Sequence, residues 1–174
     1  MIAFDATNLK SALSAPLKVI SLRLDNYKVL PSEIIKFKNL EFLYLGSFEE
    51  KANFGWNDLS TLPDDFILLK KLRNLNLSDN NFEDIPELLS KMKSIEILDL
   101  SRNPLKKLTT LSVKTLILDG CTEFDPILFP HMPNLENLSL MSCNLVEKKF
   151  PKDFADRVPN LRTLNIAANH LKKI

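Results

Sequence analysis

Apolar and polar residues follow a fixed pattern that recurs along this chain. In "LRNLNLSDNNF", residues 72–82, apolar side chains fill the first, fourth, sixth and eleventh places, and asparagine fills the ninth. The same places are filled in the same way in "IEILDLSRNPL", residues 95–105. Because places four and six are two residues apart, their side chains share one face of a strand. Each copy therefore predicts a short strand followed by a turn.

Copies of this pattern extend over most of the chain, with starts at residues 19, 40, 72, 95, 113, 135 and 161. Strands this short are not stable alone, but stacked copies form a parallel sheet over a shared apolar interior. The segments between copies are expected to pack a second apolar row behind the strands: Ile34, Phe37, Phe66, Leu69, Ile85, Leu88, Ile127 and Phe129. The fourth copy is short, so a tight loop rather than a helix is expected behind it.

The ninth place predicts a structural ladder along the inside of the stacked copies. Its members are Asn80, Asn103, Cys121, Cys143 and Asn169. An asparagine turned inward there can satisfy backbone groups of its own turn and of the next coil. Cys121 and Cys143 fill this place in adjacent copies, and their side chains should run parallel. A disulfide needs converging side chains, so the two cysteines are expected to be buried free thiols.

The pattern LxxLxLxxNxL, carried over residues 19–174, resembles the leucine-rich repeat family. Three copies continue with Leu30-Pro31, Leu62-Pro63 and Ile85-Pro86, which resembles the short repeats of bacterial members. The resemblance implies an α/β, right-handed solenoid. Its concave sheet would have about seven short parallel strands, with helical or irregular convex backs. It also implies a non-catalytic role in protein–protein interaction.

Three segments depart from the repeat. Residues 1–18 are expected to form a helical cap, with Asp5 or Thr7 at its N-terminus, Leu9, Ala12 and Leu13 on one face, and Pro16 at its end. The second copy carries an insertion at about residues 48–57, which includes Phe54 and Trp56. These rings could anchor a partner, pack back onto the neighbouring coils, or divide the two roles. The C-terminal coil leaves an apolar edge, which a continuing natural chain, a second copy or a minimal plug of Leu171 and Ile174 would cover. We expect the plug, with weak self-association next.

Side chains at places three, five and seven should point away from the interior and line the concave face. Most are small or polar, and exposed apolar residues among them are the informative exceptions. The candidates for protein binding on this face and on the insertion are Phe42, Tyr44, Phe54, Trp56, Ile97, Asp99, Ile117 and Met141.

Composition and charge limit the remaining functions. The formal net charge of +1 gives no field for nucleic acid, and no apolar run is long enough to cross a membrane. The two histidines, His131 and His170, are too far apart along the solenoid to cooperate, and no cysteine–histidine spacing suits zinc.

We therefore expect no catalytic site and no cofactor. We also expect a protein partner and a cytoplasmic location, since no signal peptide is visible; the alternatives are a fragment of a longer chain and a leaderless exported protein. The alternatives are a recruitment or sensor segment of a larger signalling protein and, remotely, an enzyme with an unrecognised site.

Overall fold

A computed structural model of the protein describes residues 4–46 and 57–172. The described residues form one sheet of eight parallel strands, which neighbour one another in the order of the chain. The strands are β1 (Phe4–Ala6), β2 (Val19–Arg23), β3 (Phe42–Tyr44), β4 (Asn74–Asn76), β5 (Ile97–Asp99), β6 (Thr115–Ile117), β7 (Asn137–Ser139) and β8 (Thr163–Asn165). The expected stack of seven short strands is confirmed, and an eighth strand precedes it.

The pairing register keeps equivalent places of the repeat side by side. Leu43 lies opposite Leu75, which lies opposite Leu98 on the next strand. All three are place-four residues and are fully buried. The interior is therefore a set of apolar rows that run across the strands, as the two-residue alternation predicts.

The N-terminal segment differs from the predicted helical cap. Residues Phe4–Ala6 extend the sheet as β1, paired in parallel with β2. Helix α1 (Leu9–Ala12) follows, and its N-cap is Asn8, whose side chain accepts a hydrogen bond from the amide of Ser11 at 3.1 Å. The prediction of Asp5 or Thr7 as the cap was wrong, because the chain is still extended or bent there. Pro16 does not end this helix; it begins a 3-10 helix, Pro16–Lys18.

The backs of the coils are short helices or extended chain, as expected. Two backs contain α-helices, α2 (Glu87–Lys91) and α3 (Phe154–Arg157). Short 3-10 helices lie at Ser32–Lys36, Asp64–Leu68, Pro126–Leu128 and Glu147–Lys149. No helix lies between β5 and β6, which confirms the tight loop behind the fourth copy.

One residue of the predicted back row faces the wrong way. Ile127 is 49 % exposed, whereas Phe129 is buried. The segment begins as a 3-10 helix at Pro126, and residues three apart share a face in that helix. Pro126 and Phe129 therefore face the interior together, and Ile127 is turned to solvent.

The C-terminal coil ends the apolar interior with an open edge. Leu164 of β8 is 37 % exposed, although its neighbour Leu138 in β7 is 2 % exposed. Leu171 is half-buried and packs against the core, in line with its expected part in a plug. Ile174 lies outside the described residues, and self-association through this edge stays a prediction.

A left-handed backbone conformation recurs at the eighth place of the repeat. Asn26, Asp79, Arg102, Gly120, Ser142 and Ala168 all have φ between 52° and 72°. This conformation turns the chain away from the strand and delivers the ninth-place side chain to the interior. It costs most L-residues about 1–2 kcal/mol.

Replacing Ser142, where φ is 58°, with glycine is expected to raise the free energy of unfolding by about 0.5–1 kcal/mol. The gain comes from relief of the left-handed strain, reduced by the greater chain entropy of glycine. Urea denaturation measures the change. The matched variant Ser90→Gly, within helix α2, should instead lose stability. A loss of stability in both variants would contradict the assignment of left-handed strain to Ser142.

Candidate protein-binding face

The concave face is the outward side of the sheet, formed by places three, five and seven of each repeat. The register aligns place three of successive strands in one row and place five in a second row. The first row reads Ser21, Phe42, Asn74, Ile97, Thr115, Asn137 and Thr163; the second reads Arg23, Tyr44, Asn76, Asp99, Ile117, Ser139 and Asn165. The structure therefore brings the predicted binding residues of the described strands onto one surface.

Phe42 and Tyr44 form an aromatic pair on β3. Both are half-buried, and the inward Leu43 between them is fully buried. The guanidinium carbon of Arg23 lies 5.6 Å from the centroid of the Tyr44 ring, within cation–π range. Phe54 and Trp56 lie outside the described residues, so their predicted part in this site stays a prediction.

Gly46 allows close packing beside the aromatic pair. A Cβ atom at this position would meet the side chains of Asn76 and Ser78 and would lie 2.6 Å from the amide nitrogen of Ser78. The other strands carry side chains at place seven, so the glycine is a local requirement of this part of the face.

Three apolar side chains lie on the C-terminal half of the concave face. Ile97 is 37 % exposed and Met141 is 38 % exposed, while Ile117 is half-buried. They stand on β5, on β6 and just after β7, among side chains that are otherwise small or polar. The prediction that they point outward from the sheet is confirmed.

Polar side chains at place five hold the chain just after three of the strands, β4, β5 and β8. The side-chain oxygens of Asn76, Asp99 and Asn165 accept hydrogen bonds from the amides of Ser78, Ser101 and Ala167, at 2.9–3.1 Å. Burial raises the pKa of Asp99, and its bonds to the Ser101 hydroxyl and amide oppose that shift. Asp99 is therefore a structural support of the face as well as a candidate contact.

The ninth-place ladder is built as predicted. The Asn80 amide group donates to the carbonyls of Leu45, Leu77 and Ser78 at 2.9–3.1 Å, and its oxygen accepts from the amide of Leu59 at 3.0 Å. Asn103 likewise donates to the carbonyls of Leu77 and Leu100 and accepts from the amide of Phe82. Asn57, at which the pattern resumes after the insertion, donates to the carbonyls of Leu24 and Leu45 and accepts from the amide of Tyr27. Asn169 joins the last two coils by bonding to the carbonyl of Leu140 and to the amides of Cys143 and Leu145.

Cys121 and Cys143 replace the asparagine in two neighbouring coils. Both are free and buried, as predicted, and their sulfurs lie 3.2 Å from the carbonyl of Leu100 and 3.1 Å from that of Leu118. Burial raises the pKa of the Cys121 thiol to about 12 and that of Cys143 to about 11. The raised pKa disfavours the thiolate, which is the nucleophilic form, so a structural role is expected for both thiols.

We expect neither thiol to react with iodoacetamide in the folded protein at pH 8, and both to react after denaturation without reductant. Mass spectrometry counts the alkyl groups. Glutathione under the same conditions is the reactive control. Two missing alkyl groups in the denatured sample would mean that a disulfide joins them.

The same thiols predict a loss of stability at alkaline pH. Their pKa values are raised by folding, so their contribution is complete below the ordinary value of 9.0 and is lost as pH rises toward 11 and 12. Between pH 9 and 11, the free energy of unfolding should fall less in a Cys121→Ala, Cys143→Ala variant than in the wild type.

Ion pairs link equivalent places of neighbouring coils on the surface. Arg102 makes two bonds of 2.6 Å to the carboxylate of Asp79, and each of these two residues fills place eight of its repeat. Lys114 pairs with Glu96, and Arg162 with Glu136, each at 3.2 Å.

No group of three histidine, cysteine, aspartate or glutamate side chains in the described residues is arranged to hold a metal ion. In the same residues, no helix is long and apolar enough to cross a membrane.

Comparisons with known proteins agree with this architecture. Residues 70–113 match the family model "Leucine Rich repeats (2 copies)". The chain is 35 % identical over 126 residues to Toll-like receptor 2 type-2 of Gallus gallus; the match covers 70 % of this chain and 16 % of the receptor. The chain therefore spans a small part of that relative.

Solved structures show the same fold over the whole chain. The leucine-rich repeat domain of APL1B matches with a TM-score of 0.63 and 22 % identity, over 99 % of this chain and 49 % of that one. A leucine-rich repeat protein of Leptospira interrogans matches with a TM-score of 0.57 and 22 % identity, over 99 % and 50 %. These matches show the fold; with the family-model match over residues 70–113, the repeated strands and the ninth-place ladder, they support a leucine-rich repeat protein.

Proposed function

We propose that this chain binds a protein partner on its concave face and on the insertion at about residues 48–57. Domains of the leucine-rich repeat family are generally modules of protein interaction and typically lack catalytic activity. Family membership alone does not assign a site, so the proposal depends on particular residues of this chain.

The observation that carries the proposal is the set of apolar side chains on the outward side of the sheet. The interior rows are already buried, so Phe42, Tyr44, Ile97, Ile117 and Met141 are not needed to fill the core. Apolar groups that stay accessible on an otherwise polar surface gain free energy when a partner covers them.

The aromatic pair is the strongest candidate for a binding hot spot. Phe42 and Tyr44 stand on the same side of one strand, and their backbones are fixed by pairing with β2 and β4. The Arg23 guanidinium lies over the Tyr44 ring, 5.6 Å from its centroid. Rigid, half-buried aromatic rings and nearby arginines are the side chains that dominate measured interface energies.

Replacing both Phe42 and Tyr44 with alanine is expected to weaken partner binding by about thirtyfold or more, with the fold intact. Partners captured from a lysate of the source cells with the wild-type chain would supply the ligand, and surface plasmon resonance would give the dissociation constants. The matched control is Leu128→Ala, since Leu128 is 62 % exposed on the convex back. Unchanged affinity of the double variant, or an equal loss in the control, would contradict the proposed site.

A second candidate function is recognition within a larger signalling protein. It is favoured by the likeness to a Toll-like receptor, of which the matched segment is only 16 %. An antibody raised against this chain would measure the size of the native protein in its source cells. A band near 19.9 kDa would contradict this candidate.

A further inference from the structure

The three apolar residues on the C-terminal half of the concave face form a diagonal stripe. Ile97 pairs with Thr115, and Ile117 follows Thr115 by two residues on the next strand. In the same way, Ile117 pairs with Ser139, and Met141 follows Ser139 by two residues. Each step along Ile97, Ile117 and Met141 therefore moves one strand sideways and two residues forward. With strands about 4.8 Å apart and about 6.6 Å per two residues, one step is about 8 Å.

Polar side chains border this diagonal stripe on both sides. Thr115 on β6 and Asp119 just after it flank Ile117 along the chain. Asp99 lies beside Ile117 on β5, and Ser139 lies beside it on β7. The stripe is thus one side chain wide. A helix presents a broader apolar stripe, whereas an extended chain presents a single file of alternate side chains about 6.6 Å apart.

A backbone donor next to Ile117 also favours an extended ligand. In repeats three, four and seven, the amide at place seven donates to a polar side chain at place five. In repeat six, the amide of Met141 donates to the carboxylate of Asp119 at 2.9 Å. Repeat five has Ile117 at place five, and the amide of Asp119 finds no acceptor in the part of the chain that the structure describes. An extended peptide has free carbonyls for such a donor, whereas a helix uses its own.

The charge around the diagonal stripe is negative. Places three, five and seven of repeats four to seven include Asp99 and Asp119 but no lysine or arginine. The Asp119 oxygen Oδ1 accepts from the Ser139 hydroxyl at 2.6 Å and from the Met141 amide, and Oδ2 has no partner among the described residues. The cation at the adjacent turn, Arg102, is held by Asp79.

From these observations we infer that the diagonal stripe binds an extended, basic segment of a protein partner. The segment carries apolar side chains at alternate positions and a lysine or arginine that reaches Asp119. One of its carbonyls accepts from the Asp119 amide. This inference rests on the proposed binding function and adds the chemistry of the ligand.

Fluorescein-labelled nonapeptides and the full chain test the inference by fluorescence anisotropy. The probe has leucine at three alternate positions and one lysine between them; a second peptide has glutamate in place of the lysine. The lysine peptide should bind about tenfold more tightly than the glutamate peptide. Asp119→Asn should bring the two affinities within about twofold, and Ile117→Ser with Met141→Ser should weaken the lysine peptide about tenfold or more.

Matched variants on the convex side separate a specific effect from a general one. Ile127→Ser removes an isoleucine that is 49 % exposed, and Asp156→Asn removes an exposed carboxylate; both should leave the affinity unchanged. Equal affinity for the two peptides, no binding by either, or a helical bound peptide would each overturn the inference. A captured partner could also be lost from the variant that lacks Phe42 and Tyr44 but still bind the variant that lacks Ile117 and Met141. That result would overturn the inference about the diagonal stripe and leave the proposed function standing. A partner that still binds both variants would overturn the inference and the proposed function.

Discussion

Replacing Asn80 with alanine is expected to lower the free energy of unfolding by about 3 kcal/mol or more. The side chain is 5 % exposed and makes hydrogen bonds to four backbone groups in two neighbouring coils. Alanine would leave the Leu59 amide and the Ser78 carbonyl unpaired inside the protein, and each such group costs about 1–3 kcal/mol. Urea denaturation with constant slope gives the change.

The control for this prediction is the adjacent residue. Asn81 is exposed, and its amide group bonds to the carboxylate of Asp58 on the surface. Asn81→Ala should cost less than about 1 kcal/mol, because water can replace that bond. Similar losses in the two variants would show that the ninth-place ladder does not carry the stability assigned to it.

Replacing Gly46 with alanine is expected to cost about 2–3 kcal/mol, the second large effect. The added methyl group would lie 2.6 Å from the amide nitrogen of Ser78. A backbone atom cannot rotate away as a side chain can, so the sheet itself must shift at β3 and β4. Thermal unfolding followed by circular dichroism would show the loss as a lower midpoint.

Gly120 provides a comparison in which the cause of strain differs. Its φ is +72°, and a Cβ there would lie 2.9 Å from Cγ of Arg102. The contact is with a side chain and not with backbone, so Gly120→Ala should cost less than Gly46→Ala, chiefly the backbone strain of about 1–2 kcal/mol. If Gly46→Ala is the milder of the two, the close approach of Gly46 to Ser78 does not constrain the sheet.

The interior of the fold was predictable because it repeats with a period that the sequence displays. Alternation placed Leu75 and Leu77 inside and Asn76 outside, and the structure has them there. The left-handed eighth place was missed, although Asn26, Asp79 and Gly120 are residues that tolerate this conformation. Its other occupants, such as Arg102 and Ala168, hide the signal because the turn imposes the conformation on them.

Features that depend on a partner segment were not predictable from local pattern. Strand β1 exists because β2 offers it an edge, and nothing in residues 4–6 repeats the motif. Ile127 resembled a core residue until the 3-10 geometry after Asp125 set its direction. On the concave face, alternation identified the outward apolar residues, whereas the bonds from place five to place seven connect side chains that resemble ordinary solvated groups.

The two thiols of the ladder divide the stack of coils into parts that are held together differently. Asn103 bonds to four backbone groups, three as a donor and one as an acceptor, whereas the thiol of Cys121 donates one weak bond to the carbonyl of Leu100. The strands of coils four to six pair like the others, but behind the strands apolar contacts, which have no preferred direction, take the place of the asparagine bonds. Apolar contacts tolerate small rotations that a set of directed hydrogen bonds resists. We therefore expect the coils of Cys121 and Cys143 to resist small rotations less than the coils that an asparagine joins, and these two coils also carry Ile117 and Met141, so the curvature of the face would adjust to a ligand there.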